Sequence, residues 1–328
     1  DLLGARFEYM LGESYYVKML PSVFVSLAEK KVTERDEEGA VAVNFQDSDK
    51  LSRLVVQKSD GTSLYASRDL AALAARTKWF DPEKIIYVVG GDQTEYFKQV
   101  FKTFEKWTEG KGPQAEHVGF GMISLPEGKM STRRGRVVFL EEVLEEAITR
   151  AKKIIDEKSS NLTEDEKEKA AQQIGVGAVI YFDLGQGRER NIKFDWDTAL
   201  SMDGNSAPYI QYTYARSKAI ERKAKENKIT VDQKQEVDYQ MPVETTLVKH
   251  LARFPDAVAR SIEENKPSIV AEYTYKTADI FNQFYKQAAI AVEPDPAIRN
   301  SRLRLSAAAG QVIKNGLYLL GIQTPDRM

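Results

Sequence analysis

The sequence predicts an α/β layer followed by an all-helical part. Three observations point that way. The run "KIIYVVGG" (84–91) is apolar, β-branched and closed by two glycines, as in a strand buried on both faces of a parallel sheet. The segment after it sets Phe97, Val100, Phe101, Phe104 and Trp107 at helical spacing, which predicts an amphipathic helix packed on that sheet. Past Leu140 the strand signals stop, and nearly every segment to Met328 carries a helical period rich in Lys, Glu, Ala and Gln.

The elements follow in order. "GAVAVNF" (39–45) and "SRLVVQKS" (52–59) read as strands, with a turn at Asp60-Gly61 after the second. "SRDLAALAARTKWF" (67–80) reads as a helix capped by Ser67 and stopped by Asp81-Pro82. Strand 84–91 and its amphipathic helix come next, and "EHVGFGMISL" (116–125) is another strand. Alternating strands and helices argue for a doubly wound α/β layer. After a basic loop, Val143, Leu144, Ala147, Ile148, Ala151, Ile154 and Ile155 line one helix face. "TEDE" (163–166) has the spacing of a capping box for the next helix.

Composition narrows the chemistry. At 328 residues, two domains are expected. Net charge is −2, so a nucleic-acid surface has to be a local patch. With no cysteine, thiolate metal sites, disulfides and cysteine nucleophiles are excluded. The two histidines, His117 and His250, are read as structural or surface groups. Apolar runs are too short to cross a bilayer, and the first residues lack the layout of a signal peptide.

Candidate chemistry sits at three places. Ligands of open parallel sheets bind at the carboxyl ends of the strands, and strand 84–89 delivers Gly90, Gly91, Asp92 and Gln93 there. The alternative is a plain strand-to-helix turn. Tyr65 and Asp69, at i and i+4, share a helix face; Asp69 is either a charge near a helix start or a partner for a cationic ligand. The loop 126–136 gathers Lys129, Arg133, Arg134 and Arg136 around Met130, Ser131 and Thr132. Hydroxyls and amides beside cations suit phosphate oxygens, although a solvated basic turn is the plainer alternative. Neither G-x-x-x-x-G-K-[ST] nor G-x-G-x-x-G is present. In "SAPYIQYTYARSKAIERK" (206–223), Tyr209, Tyr212 and Arg216 form one stripe, with Lys218, Arg222 and Lys223 following. Such stripes usually face a core, but the terminal cations tilt this one towards base stacking and phosphate contact.

Taken together these residues resemble a known family. "GKMSTRRGRVVFLEEVLEEA" is similar to the second signature loop of class I aminoacyl-tRNA synthetases, in its arginyl form. "SDGTSLYASRDLAA", "IIYVVGGDQTEYFKQVF", "GVGAVIYFDLGQGR", "FDWDTALSMDGNSAPYIQYTYARSKAI", "DIFNQFYKQAAI" and "LLGIQTPDRM" match the same family in the same order, over nearly the whole chain. The resemblance implies the C-terminal half of a Rossmann-like class I catalytic domain (1–139), a helical stem (140–200) and a helical-bundle anticodon-binding domain (201–328). It implies a cytoplasmic ligase that makes arginyl-adenylate from arginine and ATP, with Mg2+ accompanying the ATP and no protein-bound metal, and transfers arginine to tRNA-Arg. Arginine recognition falls on Tyr65, Asp69 and Gln93. Lys129, Met130 and Ser131 fall beside the ATP phosphates as catalytic groups, with Lys129, Ser131 and Arg133 as ATP contacts. Tyr209, Tyr212 and Arg216 fall on the tRNA anticodon loop. Thr132 stands where the wider superfamily has a second lysine but is in keeping with arginyl enzymes, whereas Arg134 replaces a lysine and Tyr96 stands where His is frequent. No His-x-Gly-His motif occurs, so a C-terminal portion unable to form adenylate alone is expected. The rival is a non-catalytic tRNA-binding paralogue, which would have no use for Tyr65, Asp69 and Gln93 as a set.

Overall fold

The computed structural model describes residues 2–124, 139–158 and 162–328. The chain divides into two compact units, Arg6–Met122 and Ile123–Met328, the latter joined by Asp1–Ala5.

The first unit begins with α1 (Glu13–Tyr16) and α2 (Leu20–Glu29). Strands β1 (Glu34–Arg35), β2 (Val41–Val43) and β3 (Leu54–Gln57) follow as a three-stranded antiparallel sheet. The Asp60-Gly61 turn is present. Gly61 takes φ +85°, and the Asp60 carboxylate accepts the Thr62 N–H at 2.8 Å. Helix α3 (Tyr65–Phe80) starts two residues earlier than expected. Ser67 does not cap it. Its buried hydroxyl donates back to the Leu64 carbonyl at 2.7 Å, so Leu64 holds the cap position. The stop is as expected, with Asp81 in the left-handed region ahead of Pro82.

Strand β4 (Lys84–Gly90) leads through a turn to α4 (Thr94–Thr108) and then to β5 (Gln114–Phe120). The two strands pair in parallel, Tyr87 beside His117. Helix α4 buries Phe97, Val100, Phe104 and Trp107 against Leu70, Leu73, Leu27 and Val56 of the same core. The expectation that β4 is buried on both faces is not met. Ile85, Tyr87 and Val89 pack into the core, whereas Ile86 and Val88 are 46% and 66% exposed. A strand alternates its side chains, and this one has helices of its unit packed on one side only among the described residues.

The second unit opens with β6 (Ile123–Ser124) and continues with α5 (Leu140–Lys158) and α6 (Glu164–Leu184). The capping box forms as predicted: Thr163 accepts the Glu166 N–H at 3.3 Å, and Glu166 accepts the Thr163 N–H at 3.0 Å. The two helices meet over Ala147, Ala151, Ala170, Ala171 and Ile174. They approach so closely that a Cβ on Gly175 would stand 2.6 Å from the Ile148 backbone nitrogen. Strand β7 (Ile192–Lys193) pairs in parallel with β6, a strand not expected in the helical part. Two residues leave no period to read.

Helix α7 (Trp196–Ala199) precedes α8 (Ala207–Glu226), which Ser206 caps by accepting the Tyr209 N–H at 3.3 Å. Helices α9 (Pro242–Leu251), α10 (Phe254–Glu264), α11 (Pro267–Gln287) and α12 (Pro296–Leu319) complete the bundle. Phe281, Phe284, Leu247 and Leu305 fill one part of its core, and Ile210, Tyr214, Ile313 and Leu317 another. Both histidines are structurally engaged. His117 stacks on Phe97 with Nε2 3.0 Å from the Val89 carbonyl, and His250 stacks on Tyr273 with Nε2 3.0 Å from Thr277 Oγ1.

Candidate functional site

In the first unit the carboxyl ends of β4 and β5 lie beside a single turn, Gly91–Gln93, that opens α4. A Cβ on Gly119 would stand 3.2 Å from the Gly91 Cα, a tight contact, so glycine at 119 eases the close approach of β5 to this turn. Thr94 ties the turn by donating to the Gly91 carbonyl at 2.6 Å. Gln93 holds the cap position of α4 and is exposed.

Tyr65 is the first residue of α3, and Asp69 lies one turn on along the same helix. The Tyr65 ring is 67% exposed, with the Arg68 guanidinium 5.7 Å from its centroid. Asp69 is half-buried. Burial pushes its carboxyl up; a hydrogen bond from the Tyr96 hydroxyl, at 2.5 Å to Oδ2, works against that shift. Tyr96 supplies the hydrogen bond to this carboxylate among the described residues, which leaves Oδ1 open to a ligand. A desolvated carboxylate with an open oxygen favours a cation, because a positive partner recovers the solvation lost on burial. Tyr65 and Asp69 therefore share a helix, and Tyr96 links Asp69 to the helix that Gln93 opens. No hydrogen bond joins Gln93 to either residue. Tyr96 stands out in the sequence only as a departure from the family pattern; its bond to Asp69 is what patterning missed, although its i+3 spacing from Gln93 on α4 is visible. Lys129, Met130, Ser131 and Arg133 lie outside the described residues.

In the second unit the α8 stripe is completed by α11. The Arg216 guanidinium lies between two rings, 4.8 Å from the centroid of Tyr212 and 4.7 Å from that of Tyr285. Both tyrosines are exposed, at 39% and 42%. Arg216 Nη1 donates to Asn282 Oδ1, while the buried Asn282 amide donates to the Tyr209 hydroxyl at 3.0 Å and to Thr213 Oγ1 at 2.8 Å. Tyr209 also packs at a tilt on Tyr275, their centroids 5.8 Å apart. Tyr209 thus belongs to the support, and Tyr212, Arg216 and Tyr285 form an outward-facing layer of two rings with a planar cation between them. Aromatic and guanidinium planes of this kind are platforms on which unpaired bases stack. Asn282 and Tyr285 were not singled out from sequence, because α11 meets α8 only in three dimensions.

Among the described residues no cluster of three or more His, Asp or Glu side chains is placed to hold a metal, and no helix is long and apolar enough to cross a membrane.

Residues 3–196 match the family model "tRNA synthetases class I (R), catalytic domain", and residues 210–328 match "DALR anticodon binding domain". The chain is 40% identical to the arginine–tRNA ligase of Chloroflexus aggregans, covering 100% of this chain and 57% of that protein. It is also 40% identical to the arginine–tRNA ligase of Clostridium perfringens, with the same coverage. Among solved structures it is similar to the arginyl-tRNA synthetase of Plasmodium falciparum, with a TM-score of 0.85, 29% identity, and coverage of 100% of this chain and 55% of that one. The arginyl-tRNA synthetase of Thermus thermophilus gives a TM-score of 0.84 and 25% identity, covering 100% and 61%. The chain spans about 57% of the length of the curated relatives it matches.

Proposed function

The chain belongs to the class I tRNA synthetases of the arginyl type, and on that premise we propose that it works as part of an arginine–tRNA ligase. In this activity the arginine carboxylate attacks ATP, forming arginyl-adenylate and releasing pyrophosphate. The arginyl group then passes to a terminal ribose hydroxyl of tRNA-Arg, and AMP leaves. One observation carries the arginine side of the proposal: Asp69, a half-buried carboxylate with an open oxygen, sits on a helix face with Tyr65 and is tied to the helix that Gln93 opens. A carboxylate takes a guanidinium through two parallel hydrogen bonds, and the aromatic and amide groups suit the rest of that side chain.

Lys129, Ser131 and Arg133 are proposed to hold the ATP phosphates. Lys129, Met130 and Ser131 would act as catalytic groups, stabilising charge that builds up as pyrophosphate leaves. Mg2+ would arrive with the nucleotide, on phosphate oxygens rather than on protein carboxylates. Within an anticodon-binding domain spanning 201–328, Tyr212 and Arg216 would take the anticodon loop of tRNA-Arg, with Tyr209 holding them from behind through Asn282. Residues 1–139 would be the catalytic part and 140–200 the stem.

Calorimetric titration of the chain tests the pocket. Arginine should bind at least about tenfold more tightly than its neutral isostere citrulline, a difference of about 1.4 kcal/mol. Equal affinities would remove Asp69 as a guanidinium partner. Catalysis is a separate matter, since the chain carries no His-x-Gly-His motif. Labelled pyrophosphate should not exchange into ATP when arginine is added to the chain alone. Exchange clearly above the arginine-free blank would overturn the proposal that adenylate formation needs more than these 328 residues.

A further inference from the structure

We propose that Tyr96 is a positioning residue for arginine selection: its hydroxyl pins Oδ2 of Asp69 and so fixes the plane in which the carboxylate meets a guanidinium. The inference rests on Asp69 being the guanidinium partner, as proposed above. Its physical basis lies in the aspartate side chain itself. The terminal torsion of Asp is broad and roughly two-fold, so no rotamer well sets the carboxylate plane. An external hydrogen bond has to set it. Among the described residues Tyr96 supplies that bond, reaching across from α4 to α3.

Tyr96 is itself well held. Its ring meets Phe97 edge-on at 5.1 Å, and Phe97 stacks on His117 at 5.0 Å. It lies three residues after Gln93, at the start of the same helix. A tyrosine has few torsions to freeze, which makes it an effective rigid donor.

The consequence is a selectivity that depends on shape. A guanidinium fork needs the carboxylate plane aligned with its own, whereas an ammonium is a point charge and tolerates any orientation. Pinning the plane therefore favours arginine over lysine without adding a contact to either. The hydroxyl also favours the ionised carboxylate. The other groups acting on Asp69 are Glu13 of α1, which raises its carboxyl, and Arg76 of its own helix, which lowers it; Tyr87 of β4 lies within the same network. Without Tyr96 the effect of burial is less opposed, and Asp69 takes up a proton at higher pH.

The test is titration of the chain and its variants with L-arginine and L-lysine across the acid limb of pH. Tyr96→Phe should weaken arginine binding about tenfold near neutral pH, leave lysine within about twofold, and move the acid loss of arginine binding upward in pH. In an Asp69→Asn background the same substitution should change nothing further. Tyr96→Phe binding arginine as the unaltered chain does, or losing arginine and lysine equally with the acid limb unmoved, overturns the inference and leaves the pocket standing. If the unaltered chain shows no preference for arginine, or if Asp69→Asn binds arginine normally, the pocket itself fails and the inference falls with it.

Discussion

Arg216→Ala is expected to weaken binding of a tRNA-Arg anticodon stem-loop by about 10- to 100-fold, measured by fluorescence anisotropy. Three losses act together. The planar cation between Tyr212 and Tyr285 disappears, so the layer presents two separated rings instead of a continuous stack. A positive charge beside the RNA backbone is removed, which should also flatten the dependence of affinity on salt. The buried Asn282 loses its partner at Oδ1, and its hold on Tyr209 and Thr213 loosens. Arg216→Lys separates the first loss from the second: it keeps the charge but not the plane, so most of the weakening should persist. Binding within twofold of the unaltered chain for Arg216→Ala would show that the layer is not an RNA surface.

Sequence patterning served well wherever one segment carries its own signal. Helix α4 places five apolar residues on one face, and no other pattern explains them. The Thr163–Glu166 box is local chemistry within four residues, and it forms as spaced. Patterning failed where the outcome depends on a neighbour. "KIIYVV" is apolar throughout, but whether Ile86 and Val88 are covered is decided by what packs on each face. Ser67 has the composition of a cap, yet the chain turned into helix two residues earlier and left its hydroxyl to bond backwards. The β6–β7 pairing joins residues 69 positions apart through a two-residue register.

The candidate sites divide in the same way. The α8 stripe was legible because its members share one helix, and so was the Tyr65–Asp69 face. Their supports were not. Tyr96 reaches Asp69 across 27 positions, and Asn282 reaches Arg216 across 66. In both cases a group on one helix orients a charge on another. A periodicity of 3.6 residues carries no trace of such a partnership.

The largest effect on stability is expected at Arg302. The residue is 6% exposed on α12 and ties that helix to α9 and to the segment 289–293. Nε donates to Glu244 of α9 at 2.6 Å, while Nη1 donates to Glu293 at 2.5 Å and to the Ala289 carbonyl at 3.1 Å. Glu244 is fully buried, and its other support is the Met241 N–H at 2.8 Å. Arg302→Met keeps much of the volume but leaves the Glu244 carboxylate in the core without a cation. Breaking a buried pair from one side costs about 3–5 kcal/mol, because an uncompensated charge remains. Removing both partners is different. With Glu244→Met added, no buried charge is stranded at α9, and Glu293 is near enough to the surface to turn towards water. The double variant should therefore recover most of the loss, a coupling that separates a stranded charge from a simple packing defect. Hydrogen exchange of α9 and α12 amides is the measurement, since it follows the local opening free energy. Arg302→Met should speed exchange by about two orders of magnitude or more, and the double variant by much less. If the two variants exchange alike, the network contributes packing alone, and the charge on Arg302 has no part in holding α12 to α9.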